Sequence, residues 1–491
     1  MKKTMFAAWA ALLAGCAAGP DFSRPEIALP QRYTAAPLPG DTAAGQRLEA
    51  GMEVPSRWWT MFGSDELNAL VDAALAANPD LQAAEAGLRA ALETAAAQRG
   101  AFSPSLDLHL TPTRQRIADP LSSPTASGAS LYTLHTAQLN IAYVPDVFGG
   151  ARHAVEAADA QADVARFQRD AARQTLISNL VLAAITQASL RAQLDATRAL
   201  EHSARRQLDE VRKQLQAGQV GAADVAAQEA ALAQIEAGVP ALEKQAAQQR
   251  DLLAVLAGRM PAENGAQGLM FDTLRLPGQL PLGVPARLLE QRPDIRAAEA
   301  QLRAASARIG VATAARLPDI TLTASSGSSA LTAGTLFKAG GGFWSIGADL
   351  VQPLFHGGAL LHQQRAAQAS YEQAAAQYRA VVLAAFQNVA DTLHAVDADA
   401  RTLRAAAAAG QAARRSRDIA QRQWELGALN HPAVLAAQQA YQQSAVALLQ
   451  ARAACYADTV ALFQALGGGW DTEPRRVTVT GNSREMSYRE P

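Results

Sequence analysis

The period of the apolar positions changes along the chain, and each change marks a different element. From about Ala151 to Ala217 and again from about Ala359 to Leu426, apolar residues recur at steps of three and four. They are Val181, Ile185, Ala188 and Ala192 in the first stretch, and Phe386, Val389, Leu393, Val396, Ala400 and Leu403 in the second. This spacing predicts coiled-coil seams, and alanine within them lets helices approach closely. At 1.5 Å per residue each helix would run about 100 Å, too long for a globular domain, so both must project. Gly218 and Gly427 break them, and returning helices start near Ala222 and Pro432.

Between the helices the period falls to two. Leu106, Leu108 and Leu110 alternate with Asp107 and His109; Leu139, Ile141 and Tyr143 share a face; so do Ile320 and Leu322, and Trp344, Ile346, Ala348 and Leu350. The expected strands cover about 103–118, 131–147, 317–326 and 342–354, joined by Ser/Gly/Thr/Pro-rich loops at Ala118 to Ser130 and Ser325 to Gly341. Such alternation fits a membrane barrel or a soluble hairpin. Four strands cannot close a barrel in lipid, where about eight is the smallest, and open edges there would leave backbone groups unsatisfied. A membrane sheet of this size therefore requires several protomers to pool their strands.

The plan occurs twice. "NPDLQAAEAGLRAA" from Asn78 returns as "RPDIRAAEAQLRAA" from Arg292, 214 residues later; "YVPDVFGGAR" is answered by "VQPLFHGGAL", and "LLAVLAG" by "ALFQALG". Each half reads helix, two strands, very long helix, tip, shorter returning helix. The halves are placed at 57–280 and 281–470, with a polar tail at 471–491.

The N-terminus adds a destination. Lys2 and Lys3, the apolar run Met5 to Leu13, and Ala14 and Gly15 read as a secretory signal over 1–15. The order Leu-Ala-Gly-Cys resembles a bacterial lipobox, which makes Cys16 a lipid attachment site at the head of an extended segment 16–56. Ala17 stands where an aspartate would favour retention at the inner membrane. Past residue 16 no uncharged apolar run is expected to reach the length of a membrane helix.

Composition narrows the chemistry. A formal net charge of -1 over 491 residues offers no basic field for nucleic acid. Cys455, the other cysteine, reads as a small buried hydrophobe. No phosphate loop, Cys-x-x-Cys, His-Glu-x-x-His or Gly-x-Ser-x-Gly is present, so neither an enzyme activity nor a cofactor is expected. The nearest histidines, His356 and His362, are six apart and off a common helix face, so no metal site is expected. The double arginines at Arg205 and Arg414 suit a solvated charged face, with partner contact the other reading. A lipoprotein that merely spaces the outer membrane from the cell wall would need the coiled coil but not the alternating strands.

The lipobox followed by "GPDFSRP" from Gly19, "RWWTMFGSDELNALVDAALAANPDL" from Arg57, "YVPDVFGGAR", "QRPDIRAAEAQL" from Gln291, "QPLFHGG" from Gln352 and "ALGGGW" ending at Trp470 together resemble the TolC-type outer membrane efflux proteins, in their NodT-type lipoprotein branch. The resemblance covers essentially the whole mature chain. It implies a mainly α fold with membrane β: a homotrimer with a shared twelve-stranded barrel in the outer membrane and an α-helical coiled-coil tunnel through the periplasm. The implied role is passive exit duct of a tripartite efflux pump for small molecules. The partners would be a periplasmic adaptor (membrane fusion protein) and an inner-membrane transporter of RND type. The exit duct of a type I protein secretion system is the alternative. By the same resemblance the tips, Gly218, Gln219, Val220 and Gly427, Ala428, Leu429, meet the adaptor. The periplasmic aperture falls near Ala433 and Ala436, where relatives carry acids. Here an acidic ring would have to come from Asp224, which suits a helix first turn equally well. Closure is then expected to rest on apolar packing near Val434 and Leu435.

Overall fold

The computed structural model describes residues 18–36, 40–42, 44–116, 131–263 and 269–468. The signal 1–15, Cys16, the loop at Ala118 to Ser130, the Gly469–Trp470 end of the last motif and the tail 471–491 lie outside the described residues. Compactness divides the chain across its repeats rather than between them. One unit gathers Met1–Pro30, Ala77–Arg173 and Pro293–Gln387, and the other Gln31–Ala76, Gln174–Arg292 and Asn388–Pro491. Each repeat contributes to both, because its long helix continues from one unit into the other.

In chain order the elements are β1 (Arg47–Ala50), α1 (Asp65–Ala77), α2 (Pro79–Arg99), β2 (Ser105–Arg116), β3 (Leu131–Tyr143), α3 (Gly150–Gln216), α4 (Ala222–Leu256), β4 (Gln279–Leu282), α5 (Pro285–Gln291), α6 (Pro293–Ala314), β5 (Asp319–Ala330), β6 (Gly342–Val351), α7 (Ala359–Glu425) and α8 (His431–Ala465). The repeated motifs are helix starts. In the first copy the Asn78 side chain accepts from the N–H of Asp80 (3.0 Å) and Leu81 (3.1 Å), with Pro79 opening α2. In the second copy Pro293 opens α6, while the Arg292 guanidinium donates to the Ala465 carbonyl at 2.9 Å and so ties the end of α8. Asp146 starts α3 by accepting from the N–H of Ala151 and Arg152, both at 2.9 Å. Burial alone would raise its carboxyl, but these bonds and the Arg152 guanidinium hold it below the usual range.

The first unit contains one antiparallel sheet of four strands in the order β2-β3-β5-β6, so β2 and β6 are both open edges. β5 runs to Ala330, into residues that the sequence assigns to a loop from Ser325. Serine and glycine look like loop by composition, yet here their backbone is paired with β3 on one side and β6 on the other. The N-terminal segment is fastened to the same unit. Ala18 donates to the Phe148 carbonyl at 2.9 Å, and Arg24 pairs with Glu299 at 2.9 Å. A Cβ on Gly19 would stand 2.7 Å from the Gly310 Cα, so glycine is required for that approach.

The core of the second unit is aromatic. Trp58, Trp59 and Phe62 are buried, and the Phe463 ring lies 5.2 Å from Trp58 and 6.4 Å from Phe62. Tyr456 closes the cluster against Phe62 and Phe271 and donates to the Leu274 carbonyl at 2.8 Å. A short parallel pair, β1 with β4, also belongs to this unit. In the seams Val181, Ile185 and Ala188 of α3 and Val389, Leu393, Val396 and Ala400 of α7 are buried, whereas Phe386, Leu403 and Ala192 are half-buried. Cys455 is buried, and burial, with Asp399 and Asp458 nearby, pushes its thiol up to about 11.

One expectation needs correction. Among the described residues α8 is long and apolar enough to span a bilayer, with mean hydropathy 1.2 over an 18-residue window. Alanine, spread through the helix, raises that value without a long aliphatic run. Burial in α8 changes along its length: Val460, Leu462 and Phe463 near its C-terminal end are buried while Gln439 and Gln450 before them are exposed, so the buried end packs as part of a core.

Candidate functional site

Two places can serve a conduit: the sheet and the helix tips. The pairing register fixes which side chains share a face of the sheet. One face carries Leu106, Leu108 and Leu110 of β2, Leu139, Ile141 and Tyr143 of β3, Ile320 and Leu322 of β5, and Trp344, Ile346 and Leu350 of β6. Leu108 is 65% exposed and Ile346 77%, an apolar surface that none of the described residues covers. The other face is polar. Asp107 pairs with Asn140 and His109 with Gln138, Thr136 and Ser329 share a hydroxyl bond at 3.2 Å, and Ser325 and Ser345 another at 2.8 Å. Apolar outside and polar inside over about ten residues is the pattern of a strand between lipid and a water-filled lumen. Leu354 and Phe355, just after β6, are 91% and 88% exposed and extend the uncovered apolar surface.

The two tips are built alike. Gly218 (φ +72°) and Gly427 (φ +70°) adopt the left-handed conformation. Gly218 donates to the Leu215 carbonyl at 3.0 Å and Gln219 to that of Gln214 at 2.9 Å; Gly427 donates to Trp424 and Ala428 to Gln423, both at 2.8 Å. These paired bonds form the Schellman motif, which satisfies the last carbonyls of α3 and α7. Gly218, Gln219, Gly427 and Ala428 are exposed, and Val220 and Leu429 half-buried. None of the described residues lies within 4 Å of a Cβ added at either glycine, so these positions require glycine for φ and not for space.

At the start of the returning helices Asp224 is half-buried, and its carboxylate accepts from the Gly221 N–H at 3.1 Å, which makes it a helix-start residue here. Ala433 is half-buried and Ala436 exposed. Val434 and Leu435 are 2% and 9% exposed: they pack inside the chain, and the surface beside them belongs to Pro432 and Ala436. His431 is buried with its ring 5.6 Å from that of Trp424; burial lowers its imidazole below the usual range, and the Asp224 charge partly offsets this. Between α4 and α8 runs a groove of about 460 Å³ whose lining, with Gln228, Gln234, Gln438 and Gln442 beside Ile235 and Leu435, mixes amide and apolar side chains and carries no charge.

Several features escaped the sequence reading. Arg205 belongs to a ladder joining α3 to α4, with Arg198–Glu243 at 2.6 Å, Arg205–Glu236 at 2.9 Å and Arg212–Glu229 at 2.7 Å. Its steps of seven were available as a signal. Arg414, its counterpart, is exposed. Asp458 on α8 lies against Asp399 on α7; burial first, then the neighbouring carboxylate, pushes Asp458 up to about 7. Nothing in either local sequence marks that meeting.

The family model described as "Outer membrane efflux protein" matches residues 70–259 and 284–468, one match in each repeat. The pyoverdine export outer membrane protein OpmQ of Pseudomonas aeruginosa is 31% identical over 449 residues, 90% of this chain and 94% of that protein. The outer membrane protein OprJ of the same species is 31% identical, over 99% of this chain and all of that protein. The toluene efflux pump outer membrane protein TtgF of Pseudomonas putida is 30% identical, over 94% and 95%. Among solved structures, the outer-membrane channel OprN superimposes with a TM-score of 0.84 at 26% identity, over 93% of this chain and all of that one.

Proposed function

The chain belongs to the outer membrane efflux protein family, and from that premise we propose that three copies join their open sheet edges into one twelve-stranded barrel whose helices form a common tunnel. It resides in the outer membrane as the channel component of an efflux pump. An outer-membrane component of this kind works with an inner-membrane transporter and a periplasmic adaptor; we take the transporter to be of RND type. The cargo is small organic molecules, in keeping with the pyoverdine and toluene in the names of its relatives. The duct makes and breaks no covalent bond, and needs only a lumen that water and solute can cross.

One observation carries the reading. A four-stranded sheet with two open edges, an uncovered apolar face and a polar opposite face is unstable in lipid alone and is completed by identical neighbours. Lipid on Cys16 would hold the chain at the foot of that sheet, because Ala18, two residues on, is bonded to Phe148 just beyond β3. The tips at Gly218 and Gly427, exposed and rigidly turned, are the adaptor's contact.

The test pairs mass with transport. Native mass spectrometry of the purified protein should report three chains. Cells lacking the chain should accumulate a small-molecule efflux substrate, and the restored gene should clear it. Single chains in the spectrum would overturn the shared barrel; loss of protein secretion with unchanged small-molecule accumulation would move the duct to a type I secretion system. Palmitate labelling that persists in Cys16→Ala would overturn the lipid assignment.

A further inference from the structure

The outer face of the sheet carries a charge pattern that conduction does not use. Beyond Leu110, the same face of β2 continues through Pro112, Arg114 and Arg116, opposite His135, Thr133 and Leu131 of β3. Two residues advance a strand by about 6.8 Å, or about 5 Å along the membrane normal at the usual tilt. Arg114 and Arg116 therefore stand about 10 and 15 Å farther out than Leu110, at the end of the strand remote from the helices. Both are exposed.

The acids take the other side. Asp107 of β2, Asp319 of β5 and Asp349 of β6 all fall on the polar face by register. At the level of the arginines that face carries Gln115 and Tyr132, hydrogen-bonded to each other. Among the described strand residues, the apolar face thus bears two arginines, a histidine beside them and no carboxylate. Arginine directed at lipid is strongly unfavourable near the bilayer midplane and nearly neutral at the interface. Its planar fork suits phosphate, which it can hold through two parallel hydrogen bonds.

We propose that Arg114 and Arg116, with His135 beside them, bind the phosphate groups of lipids in the outer leaflet. The proposal rests on the reading that this sheet lies in the membrane. β2 is an edge strand, so in the closed barrel each pair stands at a seam between protomers, and three such lipids would brace the three seams.

The test is native mass spectrometry of purified full-length trimers titrated with bis-phosphorylated lipid A, with the same lipid dephosphorylated, and with inorganic phosphate as competitor. A basic residue near an anionic lipid surface contributes roughly fivefold in affinity, so Arg114→Gln/Arg116→Gln should weaken binding of the phosphorylated lipid about 25-fold. Arg114→Lys/Arg116→Lys, which keeps the charge and loses the fork, should bind between the unmodified trimer and the glutamine variant. The dephosphorylated lipid should bind the unmodified trimer as weakly as the phosphorylated lipid binds the glutamine variant, an arm that needs no variant to fold. Equal binding of the two lipids, or an unaffected glutamine variant, overturns the proposal. Displacement of the lipid by equimolar inorganic phosphate makes this a free-anion site and overturns the lipid assignment. The same spectra count chains, so failure of the trimer itself is read separately.

Discussion

Leu108 and His109 are neighbours on β2 that face opposite media. Leu108 is the middle of three outward leucines, is 65% exposed and pairs with Leu139 across the strand. His109 pairs with Gln138 on the polar face. Leu108→Arg would give up leucine's contact with lipid, about 1–2 kcal/mol at this exposure, and would place a charge near mid-membrane at about 2–4 kcal/mol. The sum is about 3–6 kcal/mol per chain, repeated in every protomer of the barrel. His109→Arg puts the same charge into a watery lumen and should stay within about 0.5 kcal/mol. The assay is folding into phosphatidylcholine vesicles across a urea series, read by protease protection. Leu108→Arg should lose its folded fraction at urea concentrations that His109→Arg withstands. If the two variants fold alike, this face of the sheet does not meet lipid and the barrel reading fails.

Phe463→Ala would open a hole against Trp58 and Phe62 at a site 0% exposed, for a loss of about 3–5 kcal/mol; tryptophan fluorescence during thermal unfolding should show an earlier transition, and an unmoved one would deny the cluster its role. Asp458 holds its proton more tightly folded, at about 7, than at the ordinary 3.8, so its contribution to stability is full below about pH 4 and lost as pH rises through about 7. Asp458→Asn should flatten that part of the stability profile and be the more stable form at about pH 8; a profile that still falls through neutrality in the variant would place the titration elsewhere. At the tips, Gly427→Val should weaken crosslinking to the adaptor while Gly427→Asn retains most of it, because asparagine tolerates the +70° φ and valine does not; equal crosslinking by both would mean that the turn conformation is not what the adaptor reads.

What the sequence disclosed is what periodicity encodes. The seams of the two 67-residue helices step by three and four, and the glycines that end them show the one backbone conformation that other residues avoid. The faces of the strands follow from a period of two, which a one-residue slip would invert, so Leu106 to Leu110 were assignable before any partner strand was known. The end of β5 was not, because Ser325 to Ala330 is strand through its neighbours and not through its composition. Contacts between distant segments were equally silent. Trp58 reaches Phe463 from the far end of the chain, and Asp458 meets Asp399 from another helix. The inward packing of Val434 and Leu435 is a matter of rotation, which a short helix-start segment rich in alanine does not specify.

The two hairpins share a plan but not their adhesion. In the first, three arginines of α3 meet three glutamates of α4 at steps of seven. In the second, Arg417 lies 4.1 Å from the ring of Tyr441, and the Trp424 ring lies 5.6 Å from that of His431 at a tilt of 57°. Exposed ion pairs contribute little each and weaken with salt, whereas an arginine over an aromatic ring is less sensitive to screening and a buried imidazole responds to acid. One chain therefore presents two tips of the same backbone geometry and different chemistry. Topology survives duplication because it depends on periodicity, and contact chemistry diverges because ion pairs in one hairpin and an arginine–ring contact in the other each join the two helices. An adaptor that meets both tips meets one shape twice, on two surfaces that respond to different conditions.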